Sequence, residues 1–274
     1  HQESPHHHQA GGNRMRIAVC ASEGAPYCKS GGLGDVMEAL PAALARIPGN
    51  EVVLILPYYK KIKENPAYST QRVAHFHMDL GWRQQYVGVM KLLNRTDGVQ
   101  VYFIDNLYYF GGRKGPIYGD MDDGERFAYF SKACLDAMAA VEFIPDVIQC
   151  NDWQTAPVPT FLKSQYYPLF PNTKDIICKE NIAKMKDGVR ILNFARGELV
   201  NSADIVEAVN SGKVSRYVVD FPCDEVLGVD NIVSIPHLGA SSAESEDNCA
   251  VMAAHQLQDF LLNGNIKHSV NYPD

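Results

Sequence analysis

The fold is decided between Met15 and Leu56, which read MRIAVCA at 15–21, a glycine-rich KSGGLGDV at 29–36, a helical DVMEALPAALARI at 35–47 interrupted by Pro41, and VVLIL at 52–56. Two short apolar runs of the buried-strand type, separated by a glycine loop and a helix, make a βαβ unit. Reading outward, the runs 86–93 and 99–104, joined through 94–98, have the pattern of a hairpin. Phe127, Phe130, Cys134, Met138 and Val141 recur at helical spacing within 125–143, and Pro145 then breaks the pattern before a strand at 147–150 and a helix at 156–166. The same alternation continues: helix 179–186 closing at Gly188, strand 189–194, helix 202–210 capped by Asn201 and stopped at Gly212, and strands at 216–219 and 232–235. A last helix opens with the capping box Ser241-x-x-Glu244 and ends at Gly264. Strands alternating with helices predict an α/β fold, a doubly wound and mainly parallel sheet with helices on both faces, whose ligands bind at the carboxyl ends of the strands.

Composition bounds what such a sheet does. The chain has 274 residues, 46% of them hydrophobic, and a formal net charge of −7, which argues against a nucleic-acid scaffold or a basic membrane-surface binder. No apolar run approaches the roughly 20 residues of a membrane helix. The leader, residues 1–13, is polar and His-rich, tag-like, and is left out of the fold. Seven cysteines without a CxxC pair suit reduced thiols better than disulfides or a zinc site, so no metal is expected and the chain reads as cytoplasmic. The acidity is uneven: residues 1–173 carry 16 basic and 17 acidic side chains, and residues 174–274 carry 9 and 15.

The loop at 29–36 sits where glycines permit close backbone approach and where the amides of a helix N-terminus attract phosphate, with Lys29 as a positive point charge. Gly32 and Gly34 begin a dinucleotide fingerprint, but Met37 stands where its third glycine belongs and no acid ends the second strand. A loop that merely turns the chain accounts for the same glycines.

The longer string is more specific. SEGAPY at 22–27 with KSGGLGDV and ALP at 39–41, then YGD at 118–120, ERFA at 125–128 and NDWQTA at 151–156, resembles the start of bacterial glycogen synthases and plant starch synthases. The resemblance covers about 15–173. It implies a retaining glucosyltransferase that extends α-1,4-glucan from ADP-glucose, needs no further cofactor, and places its site between two Rossmann-like domains. It also implies that Lys29, Gly31, Gly32 and Gly34 face donor phosphate and sugar, and that Asp120 and Asp152 line the cleft. One departure concerns proton chemistry: the family often has His beside the Asp-Trp pair, whereas Asn151 and Gln154 flank it here, and neither carries a proton at neutral pH.

Residues 174–274 resemble another family. NIAKMKDG at 181–188, LNFARG at 192–197, DFP at 220–222 and PHLGAS at 236–241 look like the later half of the NAD-binding domain of D-2-hydroxyacid dehydrogenases, most closely the D-3-phosphoglycerate dehydrogenases. That resemblance implies NAD as cofactor, Arg196 as a fork for the substrate carboxylate, His237 as proton donor, Asp224 or Glu225 as the acid that orients it, and Asp220 near the nicotinamide. The glycine fingerprint and substrate domain of that family belong upstream, where synthase-like sequence stands instead.

The two resemblances make the chain a chimera: a synthase-like segment at 14–173 continued by a dehydrogenase-like segment at 174–274, with the boundary within 171–174 and both sites incomplete. Little or no turnover is expected. The expected ligand is a nucleotide sugar or a dinucleotide, with α-glucan as acceptor, no nucleic acid and no membrane, and the last helix offers an apolar face to a second copy. Because both parents are parallel sheets, the strand at 189 should lie beside the strand at 147 in one continuous sheet.

Overall fold

The computed structural model describes residues 14–80, 83–151, 177–194, 200–219 and 225–234. They form one nine-stranded sheet: β1 (Arg16–Cys20), β2 (Glu51–Pro57), β3 (Thr70–Leu80), β4 (Arg83–Leu92), β5 (Val99–Asp105), β6 (Val147–Asn151), β7 (Val189–Phe194), β8 (Val214–Val219) and β9 (Ile232–Ser234). The spatial order is β3-β4-β5-β2-β1-β6-β7-β8-β9. From β5 to β9 every neighbouring pair is parallel, and β3 and β4 add an antiparallel edge.

The helices are α1 (Gly32–Arg46), α2 (Lys60–Lys63), α3 (Asp123–Ala140), α4 (Lys179–Ala183) and α5 (Ser202–Ser211), with a π-turn at Leu107–Gly111. The two long ones lie on opposite faces. A Cβ on Gly24 would touch both Leu56 of β2 and Met37 of α1, while the Cys134 thiol of α3 faces Cys20 of β1. Cys20 stands beside Ile55 in the register, so Leu56, one residue on, points the other way. Covered on both sides, β1 and β2 are almost wholly buried, which is why their sequences are continuous apolar runs rather than alternating ones. No helix among the described residues is long and apolar enough to cross a membrane.

The expected hairpin forms as β4 and β5, with Gly88 opposite Asp105 and Lys91 opposite Tyr102. β3 was not anticipated. It is an edge strand in which only Met78 and Leu80 are buried, and a bulge between Arg72 and Ala74 shifts its phase. α5 starts where expected: Asn201 Oδ1 accepts from the Asp204 amide at 3.0 Å, and Gly212 ends the helix at φ +81°, a conformation that suits glycine. The helices expected at 156–166 and 241–264 lie outside the described residues.

The two halves of the chain meet in the sheet. β6 pairs with β7 in parallel, Val147 opposite Arg190 through Asn151 opposite Phe194. Asp146, just before β6, clasps the junction: it accepts from the Arg16 amide at 2.8 Å, its carbonyl accepts from the Arg190 amide at 2.7 Å, and its carboxylate pairs with Lys186. The Gln149 side chain is fully buried in the same strand, donating to Asn151 Oδ1 at 3.0 Å, while its own oxygen has no partner among the described residues.

Candidate functional site

Strand order reverses direction at β1 and β6: the chain steps from β1 outward through β2 to β5, then returns to β6 on the other side. The crevice at the carboxyl ends of these two strands is where an open α/β sheet binds ligands. Asn151 spans it, its side-chain amide donating to the Cys20 carbonyl at 3.1 Å.

The loop after β1 supplies the first wall. Glu23, 1% exposed, accepts through Oε2 from the amides of Ser30 at 2.6 Å and Gly31 at 3.0 Å. Its Oε1 accepts from the Tyr118 hydroxyl at 2.9 Å, which also lies 2.6 Å from Ser22 Oγ, and Tyr59 donates to the Ser22 carbonyl at 2.7 Å. Burial, then the Glu23 charge, push the Tyr118 hydroxyl far above its ordinary pKa, and burial does the same to Tyr59, so both act as neutral donors. Lys29 is half-exposed and paired with Asp35 of the first helical turn at 2.7 Å. Gly31 and Gly32 are exposed and Gly34 is buried: a Cβ there would come within 2.8 Å of Lys29 Cγ and 3.0 Å of Glu23 Oε2. The glycine at 34 is therefore required by close approach.

The second wall is the segment from the π-turn into α3. Asp120 pairs with Arg113 at 3.1 Å and with Arg126 at 3.3 Å. Arg126, 1% exposed, also donates to Asp123 at 2.8 Å and to the carbonyls of Tyr109 and Ile117 at 2.8 and 3.1 Å, with the rings of Phe110 and Phe127 each 5.2 Å from its guanidinium. Asp122 closes on Arg113 through two short bonds. Burial raises the Asp123 carboxyl even though the Gly119 amide and Arg126 oppose it. Oxygens of Asp120, Asp122 and Asp123 lie within 4.8 Å of one another, but two guanidiniums already share their charge, an arrangement that fixes the segment.

The structure thus brings Lys29, Gly31, Gly32 and Gly34 together at one turn and places Asp120 across the same end of the sheet. Asp152, Arg196, Asp220, Asp224 and His237 lie outside the described residues; Glu225 is exposed in the turn before β9. Sequence reasoning gave no role to Glu23, Tyr59, Tyr118 or Arg126. For Arg126 a signal existed, a charge one residue from Phe127 on the buried stripe of an apolar-periodic helix. Glu23 lies within the SEGAPY string, but a carboxylate in a loop reads as solvated, so no role is read from it.

The family model described as starch synthase catalytic domain matches residues 16–183, and the model of the D-isomer specific 2-hydroxyacid dehydrogenase NAD binding domain matches 164–239. Their overlap contains the boundary expected at 171–174. A glycogen synthase of Streptococcus agalactiae is 45% identical over 170 residues, 61% of this chain and 35% of that protein. One from Streptococcus pneumoniae is 47% identical over 152 residues, 56% and 31%. The chain thus spans about a third of the length of these curated relatives. Among solved structures, the catalytic domain of starch synthase IV from Arabidopsis thaliana bound to ADP and acarbose is 27% identical, with a TM-score of 0.47, covering 66% of this chain and 34% of that one. Sequence similar to two unrelated families meets in one chain.

Proposed function

The chain belongs to the starch synthase catalytic domain family over residues 16–183, and from that premise we propose that its described carboxyl-end site is the partial donor site of a glucosyltransferase, one that binds ADP-glucose with little or no turnover. The observation that carries this reading is the position of the glycine-rich loop: Lys29 and the first-turn amides of α1 stand beside the strand-order reversal, the place where a doubly wound sheet receives a phosphorylated ligand. The first amides of a helix have no partner within it. Since Gly34 already donates to the Gly31 carbonyl, those of Gly32 and Leu33 are the ones left to face a diphosphate.

Lys29 would leave Asp35 for the phosphate, and Asp120, already tied to two arginines, would line the far wall rather than act on a proton. Beyond residue 183 the matching family changes, so β7 to β9 do not supply a second synthase-type domain to close the cleft, and the little or no turnover proposed here follows from transition-state positioning, worth roughly 7–11 kcal/mol, that these strands do not provide. In this reading the boundary between segments falls at 171–174, α-glucan is the acceptor, a second copy pairs through 241–264, and the location is cytoplasmic, in keeping with five free thiols among the described residues.

A thermal-shift and calorimetric panel with ADP-glucose, ADP, NADH and maltotetraose tests it. ADP-glucose and ADP should raise Tm, and Lys29→Ala should weaken ADP-glucose several-fold without lowering the unliganded Tm. The dehydrogenase-like match supports a second reading, with NAD as cofactor. NADH oxidation with 3-phosphohydroxypyruvate, abolished by His237→Ala, would put that reading in place of the first.

A further inference from the structure

Resting on the donor-site reading above, we propose that Glu23 is the positioning residue of that site, a buried carboxylate that sets the glycine loop and ties it to the opposite wall. Gly31 occupies the N-cap of α1 and has no side chain with which to cap it. Glu23 fixes the entry to the helix from outside it, taking the amides of Gly31 and of Ser30 just before it on one oxygen at 3.0 and 2.6 Å. Those two donors are thereby spent inside the protein, and a ligand anion is left with the next amides along, at Gly32 and Leu33, together with Lys29. The other oxygen holds the Tyr118 hydroxyl at 2.9 Å, one residue before Gly119, whose amide is itself fixed by Asp123 at 2.8 Å. A charged acceptor makes each of these bonds stronger than a neutral one. A Cβ at Gly34 would lie 3.0 Å from Glu23 Oε2, so the loop is folded down onto this carboxylate. Glu23 touches no substrate in this account; it acts through the amides it holds.

The test is Glu23→Gln and Tyr118→Phe in the full chain, read by amide hydrogen exchange at residues 30 and 31, by ADP-glucose titration and by Tm. Glu23→Gln keeps the shape and removes the charge, so exchange at Ser30 and Gly31 should accelerate roughly tenfold and ADP-glucose affinity should fall several-fold, while amides in β1 and β2 exchange as before. Tyr118→Phe should leave residues 30 and 31 protected and weaken affinity less. Unchanged exchange at 30 and 31 in Glu23→Gln overturns the proposal, as does faster exchange with undiminished ADP-glucose affinity. If the unmodified protein binds no ADP-glucose, the donor-site reading fails, and the exchange data alone then decide whether Glu23 holds the loop.

Discussion

Gly34 and Gly31 stand three residues apart in the same loop and should respond oppositely to a single methyl group. At Gly34 the new carbon would meet the base of the Lys29 side chain at 2.8 Å and the buried Glu23 carboxylate, held by the Ser30 and Gly31 amides, at 3.0 Å, so the loop must shift to admit it. Gly34→Ala should therefore destabilise by about 1–3 kcal/mol in urea denaturation. Gly31→Ala should change stability by no more than about 0.5 kcal/mol, because its backbone is extended at φ −157° and nothing lies within 4 Å of the added carbon. A second residue-scale expectation concerns Asp105 at the end of β5. Burial raises its carboxyl above the ordinary 3.8, outweighing Lys63 and Arg72, and one oxygen has no partner among the described residues. A carboxyl whose folded pKa is raised costs stability at neutral pH, and the cost disappears as pH falls through the folded value and below 3.8. Asp105→Asn should raise Tm at pH 7 and lose that advantage near pH ~3; an equal gain at both would remove the charge from the explanation. At this scale the sequence displays the glycines and Lys29, because φ freedom and phosphate chemistry belong to residue type. Glu23 and Asp105 are invisible there, since their burial comes from chain segments 95 residues away in one case and from the π-turn and β4 in the other.

At the scale of the element, what was legible follows how local the signal is. α5 reads from its own ends, Asn201 capping and Gly212 in the left-handed region, and β1 and β2 read from apolar runs that both faces of the sheet demand. β3 does not read. Its bulge between Arg72 and Ala74 interrupts the two-residue period, so the alternation of Ala74, Phe76, Met78 and Leu80 with His75, His77 and Asp79 marks only the second part of the strand, and of those four only Met78 and Leu80 are buried. The junction of β6 and β7 depends on Asp146 in a way that pH exposes. Burial pushes its carboxyl up, but Lys186 and the Arg16 amide outweigh that and hold it below the usual carboxylate range. For a carboxyl whose folded pKa is depressed, the stabilisation is present above 3.8 and is lost as pH falls through the folded value. Asp146→Ala should then cost about 1–2 kcal/mol at pH 7, the Lys186 share being discounted for its half-exposed ammonium. Urea denaturation at low pH should show the difference shrinking toward zero.

For the whole molecule, the central claim is that sequence akin to two families has become one folding unit, because a parallel sheet accepts any strand of suitable apolar content at its growing edge. The pairing of β6 with β7 carries that claim, since the two strands fall on either side of the overlap between the matched families. Its neighbours on both sides are buried strands, Val19 and Ile148 toward one parent and Ile191 and Val218 toward the other, each at most 2% exposed. The fault at the junction is small but identifiable: Gln149 places a polar oxygen with no described partner next to Leu192. An orphaned buried acceptor costs about 1–3 kcal/mol, which a sheet of this extent can absorb. The most direct measurement is native-state hydrogen exchange across increasing urea, resolved at the amides of β1 and β6 and at those of β7 and β8. One folding unit requires that the protected amides of all four strands converge on a single opening free energy and a single urea dependence. If β7 and β8 instead open at a lower free energy with a smaller urea slope while β1 and β6 stay closed, the two segments are separate units and the continuous sheet is not what holds the molecule together.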